Sequence, residues 1–154
     1  VVDDSASIVA IHDAARPLVT EDEILRVFAD GFEHGAAVLG VPMKATVKES
    51  DDGKFVSRTV PRSHLWEIHT PQVATKELFM LGFENAKAKG LEVTDDVSVV
   101  EALGKPVRLT RGEYTNIKLT TPDDIQVAEE ILKSRGIDAP KTNNESIRGE
   151  ERKQ

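Results

Sequence analysis

The sequence predicts an α/β domain with a mostly parallel β-sheet, on three observations. Apolar runs of strand length alternate with amphipathic stretches of helix length along most of the chain. Two of the runs, at about residues 7–12 and at 36–43 ("AAVLGVPM"), read as strands buried on both faces, the habit of parallel sheets. The helical stretches are bounded by hydroxyls and acids at their starts and by bases and glycine at their ends, in the polarity the helix dipole requires.

In chain order, the strand at 7–12 is followed by "TEDEILRVFADGFEHG". Here Thr20 and Glu23 form a capping box, Ile24, Phe28 and Phe32 recur at a spacing of four, and Gly35 stops the helix. The strand at 36–43 leads into "ATVKESDDGKFVSRTV" (45–60), whose polar–apolar alternation around Asp52-Gly53 is that of an exposed β-hairpin. An exposed hairpin inserted in an α/β domain often reaches for a second subunit. Residues 75–90 read as a helix ending at Gly90, and 94–104 as a shorter one with Thr94 as its cap. "KPVRLTRG" and "EYTNIKLT" read as two more strands. The last helix, from Thr121 at its N-cap and Pro122 at N1 to Lys133, Arg135 and Gly136, satisfies every helix-end rule. The domain is thus expected over 1–135, with the polar stretch 136–154 as a disordered tail.

Composition narrows the chemistry. At 154 residues the chain is one domain long, with 39% hydrophobic and 31% charged residues and no apolar stretch near the roughly 20 residues of a membrane helix. The absence of cysteine excludes disulfides, thiolate metal sites and cysteine nucleophiles, and His12, His34, His64 and His69 lack zinc-ligand spacing. A net charge of -7 disfavours nucleic acid and anionic membranes, so a polyanionic ligand must be small and met by a local cluster of bases. The glycines form neither G-x-G-x-x-G nor a P-loop. The sequence starts at Val1 and reads as cut at the front, without a signal or transit segment.

Sheets of this kind bind ligands beyond the carboxyl ends of their strands, which is where "HDAARP" falls. Asp13 there can hold Mg²⁺ or accept hydrogen bonds from a sugar hydroxyl, or it can simply cap the turn. Ala14 and Ala15 leave room for a ligand beside the backbone. Arg16 can bind phosphate or pair with Asp13, and the His12 ring is expected to pack in the fold. Arg62, between Pro61 and Trp66, is a positioned base or a surface arginine, and Trp66 belongs to the core or an interface. Thr46, Thr70 and Thr94 are hydroxyls at element ends. Lys118, inside the strand expected at 113–120, either snorkels to the surface or points into the site.

The ordered set "HDAARP", "TPQ", "TDD" and "NIKxTxPDD" resembles the 2-C-methyl-D-erythritol 4-phosphate cytidylyltransferase family, up to about Arg135 and most closely its plant and algal plastid members. The resemblance implies a Rossmann-like nucleotidyltransferase fold, a homodimer and a plastid (otherwise cytoplasmic) location. It implies attack of the methylerythritol phosphate on the α-phosphate of CTP with Mg²⁺, in non-mevalonate isoprenoid synthesis. By the same resemblance Asp13 lies between substrate hydroxyls, nucleotide and metal, Ala14 beside the nucleotide and Arg16 near the substrate pocket. Thr46 and Arg62, on the hairpin, bind the partner's substrate phosphate. Thr70 and Thr94 line the pocket, and Lys118 positions the substrate and touches the nucleotide phosphates. The family's opening glycine-rich loop, with its arginine and lysine, has no counterpart in this sequence, so residues 1–154 alone are expected to make no cytidylyl product. Two rivals are a ribitol 5-phosphate cytidylyltransferase and a non-catalytic dimerisation or sugar-phosphate-binding domain.

Overall fold

A computed structural model of the chain describes residues 2–137. The chain divides into two compact units, Val1–Lys118 and Leu119–Gln154. The first holds a four-stranded sheet of β1 (Ile8–Ile11), β2 (Ala36–Pro42), β5 (Trp66–Thr75) and β6 (Arg108–Arg111), in the spatial order β1-β5-β2-β6. Strands β1, β2 and β6 point the same way, in keeping with the expected mostly parallel sheet, and the β2–β6 ladder is parallel. Strand β5 lies between β1 and β2 and runs against both.

Strand β5 is the element that pattern reading did not assign. It contains Pro71, which cannot donate to a ladder, and polar Glu67, His69, Thr70 and Gln72 where a buried strand is expected to be aliphatic. The proline is accommodated because the β2–β5 register slips between Val38 and Gly40, which pair with Gln72 and Ile68.

Helix α1 (Glu21–His34) covers one face of the sheet, with Val27, Ala37, Leu39 and Val73 in one apolar cluster. It starts with the expected capping box: Glu23 N donates to Thr20 Oγ1 and Thr20 N to Glu23 Oε2, at 3.2 and 2.9 Å. It ends at Gly35, whose φ of 87° is cheap for glycine alone. The buried face differs from the expected one: Glu23, Val27 and Gly31 are buried, whereas Phe32 is 66% exposed. Contact with β5 decides this, because a Cβ on Gly31 would stand 2.7 Å from Val73 Cγ1 and only glycine lets the helix settle there.

The other face carries α2 (Lys76–Lys89) and α3 (Ser98–Glu101), which bury Phe79, Ala86, Val97, Val99 and Val100 against Ala36, Val38 and Ala74. Helix α3 is one turn long, not the 94–104 helix expected, and Thr94 does not cap it. Its N-cap position is Val97; Asp95 closes the turn before it, with Ser98 N donating to its Oδ1 at 3.1 Å, and Thr94 is left in an exposed loop.

Residues 45–60 form the expected hairpin, a separate two-stranded sheet of β3 (Val47–Glu49) and β4 (Arg58–Val60). The Asp52 carboxylate accepts from Lys54 N and Phe55 N and shapes the turn, while Phe55 is 77% exposed. Residues 113–120, expected as a strand, contain none; they follow β6 as an irregular loop. In the second unit α4 (Pro122–Ser134) is capped as expected, with Thr120 N and Thr121 N donating to Asp124 Oδ2 at 2.8 and 2.7 Å. The disordered tail expected at 136–154 falls almost wholly outside the described residues.

Candidate functional site

Strand β1 delivers the chain to a turn closed by Arg16 N donating to the Asp13 carbonyl at 2.9 Å. The turn puts Arg16 Nε 3.6 Å from Asp13 Oδ2. The loop after β6 brings Lys118 Nζ to 3.0 Å from the same oxygen. These three side chains, with Ile68, His69, Thr70, Gln72, Thr94, Asp95 and Asp96, line a cleft of about 240 Å³ beyond the carboxyl end of β1. Of the residues singled out from the sequence, Asp13, Arg16, Thr70, Thr94 and Lys118 meet here, with Ala14 next to Asp13 and exposed.

Their roles differ in the details. The guanidinium of Arg16 is committed to main chain, with Nη1 donating to the Asn116 carbonyl at 2.7 Å, and the residue is buried. Thr70 Oγ1 accepts from Asp13 N at 3.0 Å and lies 2.8 Å from His12 Nδ1. The His12 ring is thereby held at both nitrogens, its Nε2 lying 3.1 Å from the Arg16 carbonyl, although the residue is exposed and not packed in the core as expected. Thr46 and Arg62 do not line this cleft. They are exposed at the base of the hairpin, where Arg62 Nη1 donates to the Lys44 carbonyl at 2.7 Å.

Electrostatics separates the carboxyls. The Lys118 ammonium, then the guanidinium of Arg16, hold Asp13 below the usual carboxylate range. Its folded value being depressed, the pairing stabilises the fold at neutral pH and is lost as the pH falls through that value. Asp96 is pushed the other way, first by burial and then by the negative charges of Asp95 and Asp13. His69, 3% exposed, is held below the ordinary histidine value by burial and then by Arg16, so the cleft contains a neutral imidazole at pH 7. Among the described residues no group of three or more His, Asp or Glu side chains is arranged to hold a metal ion.

Sequence reasoning passed over His69, Gln72, Asp95, Asp96 and Asn116. The signal was in the motifs themselves. Gln72 closes "TPQ", and from its buried position it donates to Asp95 Oδ2 at 3.1 Å and accepts from Val97 N at 2.9 Å, fastening the "TDD" loop to β5.

Cations, a carboxylate and hydroxyls converging beyond a strand's carboxyl end suit a small, anionic, hydroxylated ligand. Solved structures share the fold. The 2-C-methyl-D-erythritol 4-phosphate cytidylyltransferase of Thermus thermophilus superimposes with a TM-score of 0.75 at 37% identity, over 84% of this chain and 63% of its own. The 4-diphosphocytidyl-2C-methyl-D-erythritol synthase of Anaerococcus prevotii gives 0.79 at 33% identity, over 86% and 61%. The chain thus shares the fold of proteins named as cytidylyltransferases.

The family described as 2-C-methyl-D-erythritol 4-phosphate cytidylyltransferase matches residues 1–134. The chloroplastic enzyme of that name from Oryza sativa is 52% identical over 134 residues, and that from Desulforamulus reducens 47% over 128. The chain belongs to this family. It spans about half the length of these two relatives, 45% and 55% respectively.

Proposed function

We propose that the chain is the polyol-phosphate-binding part of an enzyme that joins CTP and 2-C-methyl-D-erythritol 4-phosphate, releasing pyrophosphate, in isoprenoid synthesis. The observation that carries the reading is the 3.0 Å contact between Lys118 Nζ and Asp13 Oδ2 in a cleft that Arg16, Thr70 and Thr94 also line. A phosphate monoester is largely a dianion at neutral pH, with a second pKa of about 6, so the nucleophile needs no base. The barrier lies in bringing anions together, and fixed cations lower it. Lys118 orients the substrate and faces the nucleotide phosphates, while Asp13 and Thr94 take the polyol hydroxyls. Asp13 sets the direction in which the ammonium of Lys118 points.

Mg²⁺ characteristically takes one or two carboxylates and completes its shell with waters and phosphate oxygens. The Asp13 carboxylate, held ionised by Lys118, suits that mode. Asp13 would hold the ion, which when bound supplies positive charge to the phosphates. The rice relative is named chloroplastic, which supports a plastid location for this chain. No helix of the described residues is long and apolar enough to cross a membrane.

Calorimetry with residues 1–154 tests the reading. 2-C-methyl-D-erythritol 4-phosphate is expected to bind more tightly than ribitol 5-phosphate or inorganic phosphate. Lys118→Ala should weaken that binding by about tenfold or more, the scale of one charge-assisted hydrogen bond. Equal affinity for all three phosphates, or indifference to Lys118→Ala, would sink it.

The hairpin supports a homodimer in which Thr46 and Arg62 serve the partner's cleft, because both are exposed and stand away from their own. In a polypeptide joining residues 1–154 to the amino-terminal portion of the rice relative, an Arg62→Ala subunit mixed with an Asp13→Ala subunit should regain activity through one intact site per mixed dimer. Confirmed mixed dimers without activity would refute the sharing of sites.

A further inference from the structure

We infer that Asn116 is a positioning residue, the tether that fixes the Lys118 ammonium over Asp13. The loop that carries Lys118 has no strand or helix of its own to define it. Upstream, Gly112 N donates to the Gly40 carbonyl and Glu113 N to Glu23 Oε1, both at 2.8 Å, which anchors only the loop's entry. Tyr114 Oη donates to the Pro42 carbonyl at 2.8 Å, and the anchor nearest Lys118 is Asn116, which is fully buried. Its Nδ2 donates to the Thr70 carbonyl of β5 at 3.0 Å, its main-chain carbonyl accepts Arg16 Nη1 at 2.7 Å, and its N–H donates to the Glu113 carbonyl at 3.1 Å. The β1 turn, strand β5 and the Lys118 loop, which between them supply most of the cleft's polar groups, therefore meet at one residue, with β5 held by its side chain and Arg16 by its main chain.

The geometry also shows why an asparagine is wanted. Its Oδ1 is buried without a hydrogen-bond partner, a cost that an apolar residue of similar size would avoid. What the amide supplies against that cost is its Nδ2 donor, which reaches the Thr70 carbonyl at 3.0 Å. Lys118 is two residues downstream and its side chain is 48% exposed, so the side chain's own packing holds it only loosely. The tether supplies the missing order by fixing the main chain from which the side chain departs.

This inference rests on the functional reading for its consequence but not for its test. The variants are Asn116→Ser and Asn116→Ala, read by the ¹³C NMR titration of the Asp13 carboxyl in residues 1–154, with Asp52 in the hairpin turn as internal reference. In both variants Asp13 should titrate at higher pH than in the parent, as in Lys118→Ala, because the ammonium no longer stands over it. Val99→Ala, which loosens the core away from the loop, should leave the Asp13 titration unchanged. Affinity for 2-C-methyl-D-erythritol 4-phosphate should fall about tenfold in the Asn116 variants. An unmoved Asp13 titration in a folded variant overturns the tether. Should neither variant fold, the parent chain decides: Asn116 side-chain amide protons exchanging as fast as those of Asn85 overturn it, and retained protection supports it. A moved Asp13 titration without any binding of the polyol phosphate upholds the tether and refutes the functional reading instead.

Discussion

Asp13→Asn is expected to lower turnover by at least about a hundredfold in the polypeptide that joins residues 1–154 to the amino-terminal portion of the rice relative. The substitution keeps the shape of the side chain and leaves the main-chain turn to Arg16 intact, so the fold should survive. What it removes is the charge. Lys118 at 3.0 Å and Arg16 at 3.6 Å both face Asp13 Oδ2, and an amide in that place neither fixes the ammonium nor offers an anionic ligand to Mg²⁺. Misplacing reacting groups by about 1 Å can cost a hundredfold, and here cation and substrate hydroxyls shift together. The measurement is pyrophosphate release from CTP and 2-C-methyl-D-erythritol 4-phosphate at saturating Mg²⁺. Rates within a few-fold of the parent would reduce Asp13 to a residue that shapes the turn.

Glu23→Ala should destabilise residues 1–154 by about 3 kcal/mol, summing a lost helix cap and a buried donor left unpaired. Glu23 is fully buried at the start of α1, yet it is not a core residue in the ordinary sense. Its Oε2 accepts Thr20 N at 2.9 Å and Thr20 Oγ1 at 3.0 Å, and its Oε1 accepts Glu113 N at 2.8 Å, across 90 residues of sequence. One carboxylate thus caps a helix and pins the entry of the loop that carries Asn116 and Lys118. Glu23→Gln keeps an acceptor and the volume, so it should cost about 1–2 kcal/mol less than alanine. Urea unfolding reads both values from the shift in midpoint at constant slope. A loss under about 0.5 kcal/mol for alanine would mean that water satisfies Thr20 and Glu113 and that the bridge between helix and loop is incidental.

Much of the fold was legible because its signals are local. The Thr20–Glu23 capping box, Gly35 past the end of α1, the Pro122 start of α4 and the Asp52-Gly53 turn each depend on residues within four positions of one another, and each is found where the pattern puts it. Strand β5 escaped because its polar residues answer to the cleft and not to the core. Thr70 serves Asp13 N, Gln72 serves Asp95 and Val97, and Pro71 falls where the ladder to β2 slips. The 113–120 segment misled in the opposite sense. Its alternation of Tyr114, Asn116 and Lys118 with Thr115, Ile117 and Leu119 imitates a strand, but its main chain is spent on Arg16 and on a turn to Glu113. Thr94 imitates a helix cap because a hydroxyl before two acids looks like one; the helix starts four residues later, after a turn that Asp95 closes.

By itself the sequence determined the class of fold, the ends of α1, α2 and α4, the hairpin and the motifs whose order identifies the family, since all of these are written in residue type and short spacing. Only the tertiary structure decided which of the motif residues share a cleft. Lys118 reaches Asp13 because β6 lies beside β2 and the loop after it returns over the end of β1, a consequence of strand order that no local pattern encodes. The division of labour between the two arginines has the same origin. Arg16 has its guanidinium drawn inward to the Asn116 carbonyl, and Arg62 stands exposed on the hairpin base. A guanidinium's role is set by which carbonyls and carboxylates surround it in space, and those come from distant parts of the chain.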